Sequence, residues 1–338
     1  MRLFFLLTPF LVSTALAGEI RASADFQSSS EPVSVSDMVN GWSGDFTPGT
    51  YAYADGQLSL ALTLDDWPLS AERRWYYYFE FSRGMSIFYH NQEQGLDSAE
   101  DYDLELDAKS FYAEGGSLAK TLHLGNWQIT PAVGLYRIYD YQFGELSGVS
   151  EAGSGLSASA TLDYHFSEDK ILEYPVSVPA GTGYTFNLGV AYQGFSDWQL
   201  EGQVRDLFNR WQMTDAGYTE GCINLGSGSS VCSSSGAASG RSGTETYSAT
   251  IPVTLTAAAQ YTPLGVTGSV YWHGRYHRLS VRKDWDTVAG DFGISAHSTR
   301  QLGLHWSGRY GAVSVESDDQ RLHSARDLAF SAALQWQW

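Results

Sequence analysis

The sequence of 338 residues has few cysteines, few prolines and few charges, and most of its charges have one sign. It has 2 Cys and 9 Pro, and 38 acidic residues outnumber 20 basic ones. The formal charge of -18 argues against nucleic-acid binding, which requires clustered Lys and Arg. An acidic exterior suits bound divalent cations, but the sequence shows no resident metal site and no cofactor motif, so we predict neither.

Long apolar runs are missing after the amino-terminal segment. The first 17 residues, MRLFFLLTPFLVSTALA, place a basic residue before an apolar core at residues 3–12 and a small-x-small triplet that ends at Ala17. This pattern is typical of a secretory signal peptide cut after Ala17, with a cut after Ala24 as the alternative. No later run approaches the ~20 apolar residues of a spanning helix, so we predict none in the mature chain.

What the sequence does contain is glycine and aromatic residues, with 35 Gly, 21 Tyr, 16 Phe and 11 Trp. Length and composition alone allow two soluble domains or one large barrel, so the periodicity of the apolar residues decides between them. Residues 18–56 are weakly patterned and predict a linker or a plug. From residue 57 to residue 338, apolar residues recur at every second position.

The last residues, DLAFSAALQWQW, show this alternation most clearly. One parity is apolar and the other is small or polar, and in a strand the two parities face opposite sides. A soluble sheet that ended in this way would leave an apolar face bare. A lipid-facing strand that pairs with the first strand would not.

Connections of two lengths separate the predicted strands. Tight turns are predicted at 124–126, 195–197, 263–265 and 307–309, and long polar loops at 91–101, 144–154, 212–244 and 283–292. Outer-membrane barrels have short periplasmic turns and long outer loops. Tryptophans near both kinds of connection predict two interfacial girdles, with Trp127, Trp198, Trp306 and Trp336 on the short-turn side and Trp211 and Trp285 on the other.

These patterns predict an all-β fold, a single antiparallel transmembrane β-barrel of about 12 strands within a range of 10 to 14. Two alternatives stay open within residues 144–183, because 156–166 fits either a barrel strand or part of an outer loop. The predicted strands at the carboxyl end are 266–281, 293–307, 310–319 and 327–338.

The two cysteines, Cys222 and Cys232, lie in the Gly- and Ser-rich segment GCINLGSGSSVC. Such a segment can bring their Cα atoms within bridging distance. Because an exported protein matures in an oxidising compartment, we predict a disulfide between them.

Charged residues on strand faces are candidates for the lining of a lumen. In EDYDLELDAK, Asp103, Glu105 and Asp107 alternate with Leu104 and Leu106, which we expect to face lipid. Other segments add further candidates for the lumen lining, namely Glu201, Arg205, His273, Arg275 and His277. Our first interpretation is that these side chains pack and form ion pairs inside the barrel. The second is that they select a permeating cation.

An embedded hydrolase is the alternative from another class. His297 with Ser298, and His323 with Ser324 and Asp327, are the candidate constellations. Neighbouring residues of a strand face opposite sides, so neither His-Ser pair can meet within one strand. The second group meets only if it lies in a loop, and we therefore do not predict an enzyme.

Arg300 does not fit the pattern of its predicted strand, because it shares the parity of Ile294, Leu302 and Leu304. A charge that faces lipid at the bilayer midplane costs roughly 2–4 kcal/mol. We therefore expect either a register shift near Ser298 or a position at the level of the lipid headgroups.

Residues 116–141, GSLAKTLHLGNWQITPAVGLYRIYDY, resemble a hairpin of the autotransporter translocator barrel, and FSAALQWQW resembles the carboxy-terminal insertion signal of Gram-negative outer-membrane proteins. That family usually ends in Phe, whereas this chain ends in Trp. The residues that would carry the signal are Phe330, Leu334, Trp336 and Trp338. Since no passenger segment is present, the chain is similar to the solitary autotransporter-like barrels of marine gammaproteobacteria.

The resemblance implies the Gram-negative outer membrane, with lipid, lipopolysaccharide and the barrel-assembly machinery as partners. We expect a monomeric structural or pore-forming surface protein that favours cations. The alternative is an adhesin that uses the loop at 212–244.

Overall fold

The computed structural model describes residues 18–153, 157–169, 174–176, 180–226 and 238–338. The predicted signal peptide lies outside these residues, and so does Cys232, so signal cleavage and the disulfide stay predictions. Among the described residues, no helix has both the length and the apolar composition needed to cross a membrane.

The chain folds into a closed antiparallel β-sheet, as predicted from the alternation of apolar residues. Its strands, in chain order, are β1 Gly18–Ser30, β2 Tyr51–Leu64, β3 Trp67–Phe81, β4 Tyr102–Ala119, β5 Leu122–Leu124, β6 Trp127–Glu151, β7 Ser157–Phe166, β8 Ala180–Tyr192, β9 Trp198–Leu225, β10 Ala238–Ala249, β11 Thr254–Tyr261, β12 Val266–His273, β13 Tyr276–Thr287, β14 Gly290–His297, β15 Leu302–Gly308, β16 Gly311–Ser317 and β17 Asp327–Gln337.

The wall has fourteen strand positions, because three positions are each occupied by two strands in succession. β5 continues β4 along β6; β7 and β8 both lie between β6 and β9; and β10 and β11 both follow β9. Fourteen exceeds the predicted twelve and is the upper limit of the predicted range. Residues 157–166 are therefore wall residues, which settles the alternative left open for them.

Strand β1 closes the barrel, since it pairs with β17 on one side and with β2 on the other. The prediction of a linker or plug at residues 18–56 was wrong for this strand. Its apolar residues, such as Ile20 and Phe26, are separated by alanines and serines, and small residues weaken the alternation that marks a strand. Residues 31–50 follow as a connection that contains a short helix, α1 Val35–Asn40.

The two rims of the barrel differ in their connections. At the rim where β1 begins and β17 ends, which we call the terminal rim, six connections are short: 65–66, 125–126, 193–197, 262–265, 288–289 and 309–310. At the opposite rim, the loop rim, long connections occupy 31–50, 82–101 and 318–326, and 82–101 contains the helix α2 Arg83–Gln94. This asymmetry agrees with the predicted one.

Several predicted loops and strands were wrong in detail. Residues 283–292 form a tight hairpin at the terminal rim rather than a long outer loop. The predicted strands 266–281 and 293–307 are each a hairpin, with turns at 274–275 and 298–301 on the loop rim. Arg300 lies in the second of these turns with a φ of 67°, so its misfit with the strand pattern disappears.

The outer face of the wall is apolar, and the inner face is polar toward the terminal rim. Exposed aliphatic side chains that alternate with inward-facing residues form the outer belt: Leu58, Leu60, Leu69, Leu118, Val133, Leu135, Leu255, Leu279, Val281, Ile294, Leu302, Leu304, Val313, Val315 and Leu334. On the inner face, serines of adjacent strands bond to each other, as in Ser23 with Ser59 and Ser314 with Ser331, both at 2.8 Å. This inversion of a soluble fold is the pattern of a membrane-spanning barrel.

Aromatic residues border the belt at both rims. Those near the terminal rim include Trp67, Trp127, Trp198, Trp285, Tyr310, Trp336 and Trp338, and exposed rings toward the loop rim include Tyr77, Tyr139, Tyr184 and Trp272. Two predicted positions were wrong. Trp285 lies at the terminal rim because its predicted long loop is a tight hairpin, and Trp211 is fully buried inside the barrel.

A small apolar cluster covers the outer face of the wall near the loop rim. Phe81 and Leu106 pack there with Trp42 and Phe46 of the first connection and with Met85 of α2. The expectation that Leu104 and Leu106 face lipid was therefore wrong, because protein side chains shield Leu106 and Leu104 is only 2% exposed.

The height of the wall is uneven. β6 has 25 residues and β9 has 28, whereas β15 and β16 have 7 each. The upper parts of β6 and β9 pair with β7, and β9 continues with β10, so these four strands rise as a projecting sheet above the rest of the loop rim. Most of the predicted loops 144–154 and 212–244 are strands of this sheet.

Candidate functional site in the lumen

A buried ion pair crosses the lumen between β3 and β9. Arg74 donates two hydrogen bonds to Asp206, from Nη1 to Oδ1 at 3.0 Å and from Nη2 to Oδ2 at 2.9 Å. The two side chains are 4% and 1% exposed. Because β3 and β9 are not neighbours in the wall, the pair connects distant parts of it. The bidentate geometry fixes both side chains in orientation as well as in distance.

A bulge in β9 directs two successive residues inward. The register between β8 and β9 shifts between Phe186 and Leu188, and Asp206 has a φ of 57°. Its backbone N–H donates to the Asn187 side-chain oxygen at 2.8 Å. In a regular strand, Arg205 and Asp206 would face opposite sides, and the bulge re-aims one of them so that both reach the lumen.

The Arg205 side chain forms a second cross-lumen pair, with Asp55 of β2. Its Nη2 contacts Asp55 Oδ2, and its Nη1 donates to Gln57 Oε1 at 3.2 Å. Asp55 is 6% exposed. The two guanidinium groups thus tie β9 to both β2 and β3.

Aromatic side chains complete the crossing. The hydroxyls of Tyr53 and Tyr271 lie 2.7 Å apart, although β2 and β12 stand half-way round the wall from each other. His273 lies between Tyr76, at 2.9 Å from Nε2, and Thr254, at 2.8 Å from Nδ1. Side chains of opposite walls therefore touch and close the lumen at this level.

We call this set of side chains the closing layer. It consists of Tyr53, Asp55, Arg74, Tyr76, Arg205, Asp206, Trp211, Tyr271 and His273. The ring of Trp211 packs on Phe111 with centroids 4.1 Å apart and lies 5.8 Å from the Arg74 guanidinium carbon. A larger buried cluster that includes Phe143, Met213 and Ile251 continues toward the loop rim.

A cavity of about 640 Å³ lies on the terminal side of the closing layer. Hydroxyl and amide groups dominate its lining: Ser23, Gln27, Gln57, Ser59, Ser117, Thr130, Asn187, Gln203, Thr256, Ser314 and Ser331. Such groups can replace part of the hydration shell of a polar solute. A second cavity of about 880 Å³ lies nearer the terminal rim, lined by the β11–β12 connection and by residues of β13, β15 and β16.

The charges that line the first cavity do not balance. Each of its three arginines has a carboxylate partner: Arg74 with Asp206, Arg205 with Asp55, and Arg278 with Glu316. Asp25 and Glu72 also line the cavity, and their hydrogen-bond donors are hydroxyls rather than cations. The cavity therefore carries excess negative charge, which favours cations.

A second polar cluster joins β13 through β16. Arg278 Nη1 donates to Glu316 Oε2 at 2.6 Å and to Gln301 Oε1 at 3.0 Å. The hydroxyl of Ser295 lies 2.8 Å from Nε2 of both His297 and His305. This cluster fills the short side of the barrel with bonded polar groups.

The structure places two predicted lumen residues, Arg205 and His273, in the closing layer. Glu201 is exposed on the same inward parity as Arg205. Arg275 lies in the β12–β13 turn, where its Nε donates to Glu80 at 2.9 Å. His277 was assigned to the wrong face. The turn at Gly274 and Arg275 inverts the parity, so that Tyr276 is buried and His277 stands opposite Trp272 in the register.

The three predicted acidic residues of β4 lie near the loop rim rather than at the closing layer. Asp103 and Glu105 are exposed, and Asp107 pairs with Lys109 at 2.5 Å. They pair in register with residues 145–149 of the long strand β6. The structure does not bring them together with Arg205 or His273.

The residues of the predicted insertion signal, Phe330, Leu334, Trp336 and Trp338, are all exposed. Phe330, Leu334 and Trp336 alternate on β17 with Ser331 and other inward-facing residues, and Trp338 follows the end of the strand. They form part of the apolar and aromatic exterior.

The candidate hydrolase constellations do not form in the described part of the chain. Ser298 accepts a hydrogen bond from the Leu279 backbone N–H, and His297 contacts Ser295 instead. No hydrogen bond links His323, Ser324 and Asp327, although all three are described. Ser295 and the two histidines do not form a triad either, because both imidazoles approach Ser295 and Glu316 through the same nitrogen, Nε2.

Metal binding has no support from the described residues, since no group of three or more His, Cys, Asp or Glu is arranged to hold an ion there.

Sequence reasoning missed Asp55, Arg74 and Asp206. Arg74 had a signal: in ERRWYYYFEF it has the opposite parity to Trp75 and Tyr77, so it must face the lumen. Asp206 had none, because strict alternation places it on the face opposite Arg205, and only the bulge turns it inward.

No family model matches this chain, and no curated protein matches it. Among solved structures, the chain is similar to the toluene transporter TodX of Pseudomonas putida, with 11% identity over 95% of this chain and 89% of that one and a TM-score of 0.42. A TodX mutant described as a monoaromatic hydrocarbon channel gives 12% identity, coverage of 96% and 91%, and a TM-score of 0.47.

The outer-membrane protease OmpT of Escherichia coli gives 8% identity, coverage of 96% and 98%, and a TM-score of 0.22. Likeness at these scores does not extend to an activity. The resemblance to autotransporters stays a prediction.

Proposed function

We propose that this chain is an outer-membrane β-barrel that conducts small cations, and that the closing layer is its gate. The observation that carries the proposal is the combination of a polar, negatively charged cavity on one side of the layer with cross-lumen bonds that close the passage. The layer consists of side chains rather than a folded domain. A path opens only if these side chains and those of the buried cluster on their loop-rim side are displaced together.

The outer-membrane location is supported by the exterior of the wall and by its two rims. The aliphatic belt with aromatic borders suits a bilayer, and the short connections of the terminal rim suit the periplasmic side. The predicted signal peptide and the exposed residues of the predicted insertion signal agree with this location.

Conductance in planar bilayers tests the gate. We expect the wild type to conduct rarely, and the double variant Tyr53→Ala/Tyr271→Ala to spend more time open, because it removes one of the bonds that cross the lumen, the one between β2 and β12. Tyr77→Ala is the matched control, since Tyr77 lies on β3 with its ring exposed outside the barrel. If none of the three proteins conducts after insertion has been verified, a channel is excluded.

The selectivity is tested by the two carboxylates without a cationic partner. We expect Asp25→Asn/Glu72→Gln to shift the reversal potential in a potassium chloride gradient toward zero. Glu100→Gln removes a charge from the exposed loop before β4 and should leave the potential unchanged. An anion preference in the wild type would contradict the proposal.

The projecting sheet favours a second candidate function, binding of a partner at the cell surface. β9 and β10 pair as far as Ile223 and Ala238, well above the short strands. A variant that joins residue 217 to residue 244 by a two-residue turn removes the top of this hairpin. Loss of cell-surface adhesion with unchanged conductance would assign the two functions to different parts of the barrel.

A further inference from the structure

Arginines form a band on the outside of the barrel. Arg73 of β3 stands opposite Glu114 of β4, and Glu114 stands opposite Arg137 of β6. Arg137 stands opposite Thr182 of β8, and Tyr184, two residues further along β8, stands opposite Arg210 of β9. We call Arg73, Glu114, Arg137 and Arg210 the arginine band.

The outward orientation of the band follows from its neighbours. Tyr136 and Ile138, on either side of Arg137, are at most 5% exposed, and Trp211, next to Arg210, is fully buried. Leu135 and Phe208, which share the parity of the two arginines, are among the most exposed apolar residues of the wall. Both guanidinium groups therefore lie on the face that meets lipid.

The band has more guanidinium groups than carboxylates to pair with them. Glu114 binds Arg73 at 2.5 Å. Among the described residues, neither Arg137 nor Arg210 has a carboxylate within ion-pair distance. Arg137 lies 5.2 Å from the centroid of the Tyr139 ring, and Arg210 Nη2 donates to Ser248 Oγ at 3.1 Å.

The height of the two arginines brings them near the headgroups of one leaflet. Arg137 lies ten residues along β6 from Trp127 at the terminal rim, and the exposed rings of Tyr139 and Tyr184 accompany it. Ten residues of a tilted strand rise about 25 Å, which is the height of the apolar band of such barrels. A guanidinium group costs little at that level if an anion is at hand.

We propose that Arg137 and Arg210 bind the phosphate groups of an outer-leaflet lipid, the phosphorylated glycolipid of lipopolysaccharide. The inference rests on the proposed outer-membrane location, which places the loop rim at the outer leaflet. The two arginines are separated by one strand, so their Cα atoms are about 10–12 Å apart. They can engage two phosphates of one headgroup, with the hydroxyls of Thr182 and Ser248 beside them. Asp140, on the bulge above, accepts a bond from Ser167 and limits the site on that side.

Native mass spectrometry of the purified barrel in detergent tests the proposal. The probes are diphosphorylated lipid A and the same lipid without phosphates. We expect the wild type to bind the phosphorylated lipid at least tenfold more tightly, and each of Arg137→Gln and Arg210→Gln to lose about tenfold in affinity. The affinity should fall as salt is raised, because exposed charges are screened.

The control is the double variant Arg300→Gln/Arg321→Gln, which removes two exposed positive charges from connections of the same rim. It should bind as the wild type does. The proposal is overturned if Arg137→Gln/Arg210→Gln binds the lipid unchanged, or if millimolar inorganic phosphate displaces it, since the site would then not be one for a lipid. Conductance of the same variant is measured in parallel. If the barrel conducts but the wild type does not prefer the phosphorylated lipid, the lipid site is refuted and the proposed channel is not.

Discussion

At the scale of single residues, the lumen is closed by side chains, two charged pairs among them, rather than by an inserted domain. Two charges taken out of water together gain little net stability, because desolvation offsets most of their attraction. What such a pair does provide is one defined arrangement of side chains. Arg74 with Asp206 and Arg205 with Asp55 thus determine which walls are held together more than how stable the barrel is.

Arg74→Gln should destabilise the barrel strongly, since it leaves the Asp206 carboxylate buried without its partner. Loss of one member of a buried pair costs about 3–5 kcal/mol. Urea-induced unfolding in lipid vesicles measures the change in the free energy of unfolding. The neighbouring variant Arg73→Gln, which breaks an exposed pair, should cost far less, because solvent screens the attraction. Similar losses in both variants would mean that Asp206 is hydrated.

At the scale of elements, one side chain bridges the gap in backbone hydrogen bonds between β10 and β11, which share a wall position. Between these strands, Ile251 has no strand partner on β9. The Asn209 side chain takes the place of the missing backbone partner. Its Nδ2 donates to the Ile251 carbonyl at 3.0 Å, and its Oδ1 accepts from the Ile251 N–H at 2.9 Å. An amide side chain has the donor and the acceptor of a peptide group, so it continues the ladder across the gap.

Asn209→Ala should open the wall locally at this position. The two backbone groups of Ile251 would lose their partners, at a cost of about 1–3 kcal/mol each where water does not reach them. Hydrogen exchange should show a faster amide at Ile251. Asn209→Asp keeps the acceptor and should give an intermediate rate, and Gln212→Ala on the outer face should change nothing. Unchanged protection in Asn209→Ala would show that another group bonds Ile251.

The β12–β13 turn depends on a glycine. Gly274 has a φ of 55°, and a Cβ atom there would lie 2.1 Å from the Tyr78 hydroxyl, which itself accepts a bond from the Arg275 N–H at 2.8 Å. Gly274→Ala should therefore cost about 1–3 kcal/mol in backbone strain, with a displacement of Tyr78 in addition.

The melting temperature of the barrel in detergent measures this cost. Gly268→Ala is the control on the same hairpin, because no atom lies within 4 Å of a Cβ built at that position. Equal melting temperatures for the two variants would contradict the role of the turn.

The sequence predicted the fold class better than the connections, and the reason is local. Alternation of apolar residues reports the face of each residue, so the outward belt and the polar inner face toward the terminal rim could be predicted. Short turns without proline, such as Gly274 with Arg275, leave the alternation almost unbroken, so the pattern predicts a single strand where the structure has a hairpin. The closing layer depends on the β9 bulge and on contacts between opposite walls, which no local pattern encodes.

At the scale of the whole molecule, the outer belt determines where the barrel is stable. Leu304→Arg, at an exposed belt position of β15, should hinder folding into vesicles by roughly 2–4 kcal/mol if that position meets the middle of the bilayer. Leu322→Arg, at a similarly exposed leucine in the connection at 318–326, should cost almost nothing. Folding yield in vesicles, read from the mobility of unheated samples on gels, compares the two. Equal yields would mean that β15 does not face acyl chains.

The uneven height of the wall has a consequence for the surrounding membrane. A spanning strand needs about 9–11 residues, yet β12 and β14 have 8 each, and β15 and β16 have 7 each. Along this arc the protein is shorter than the hydrocarbon that it adjoins, whereas around β9 it is much longer. Lipids must compress on one side, or the barrel axis must lean, and either response makes the hydrophobic mismatch directional. The barrel would then impose a thickness gradient on its annulus and prefer neighbours with shorter acyl chains on that side.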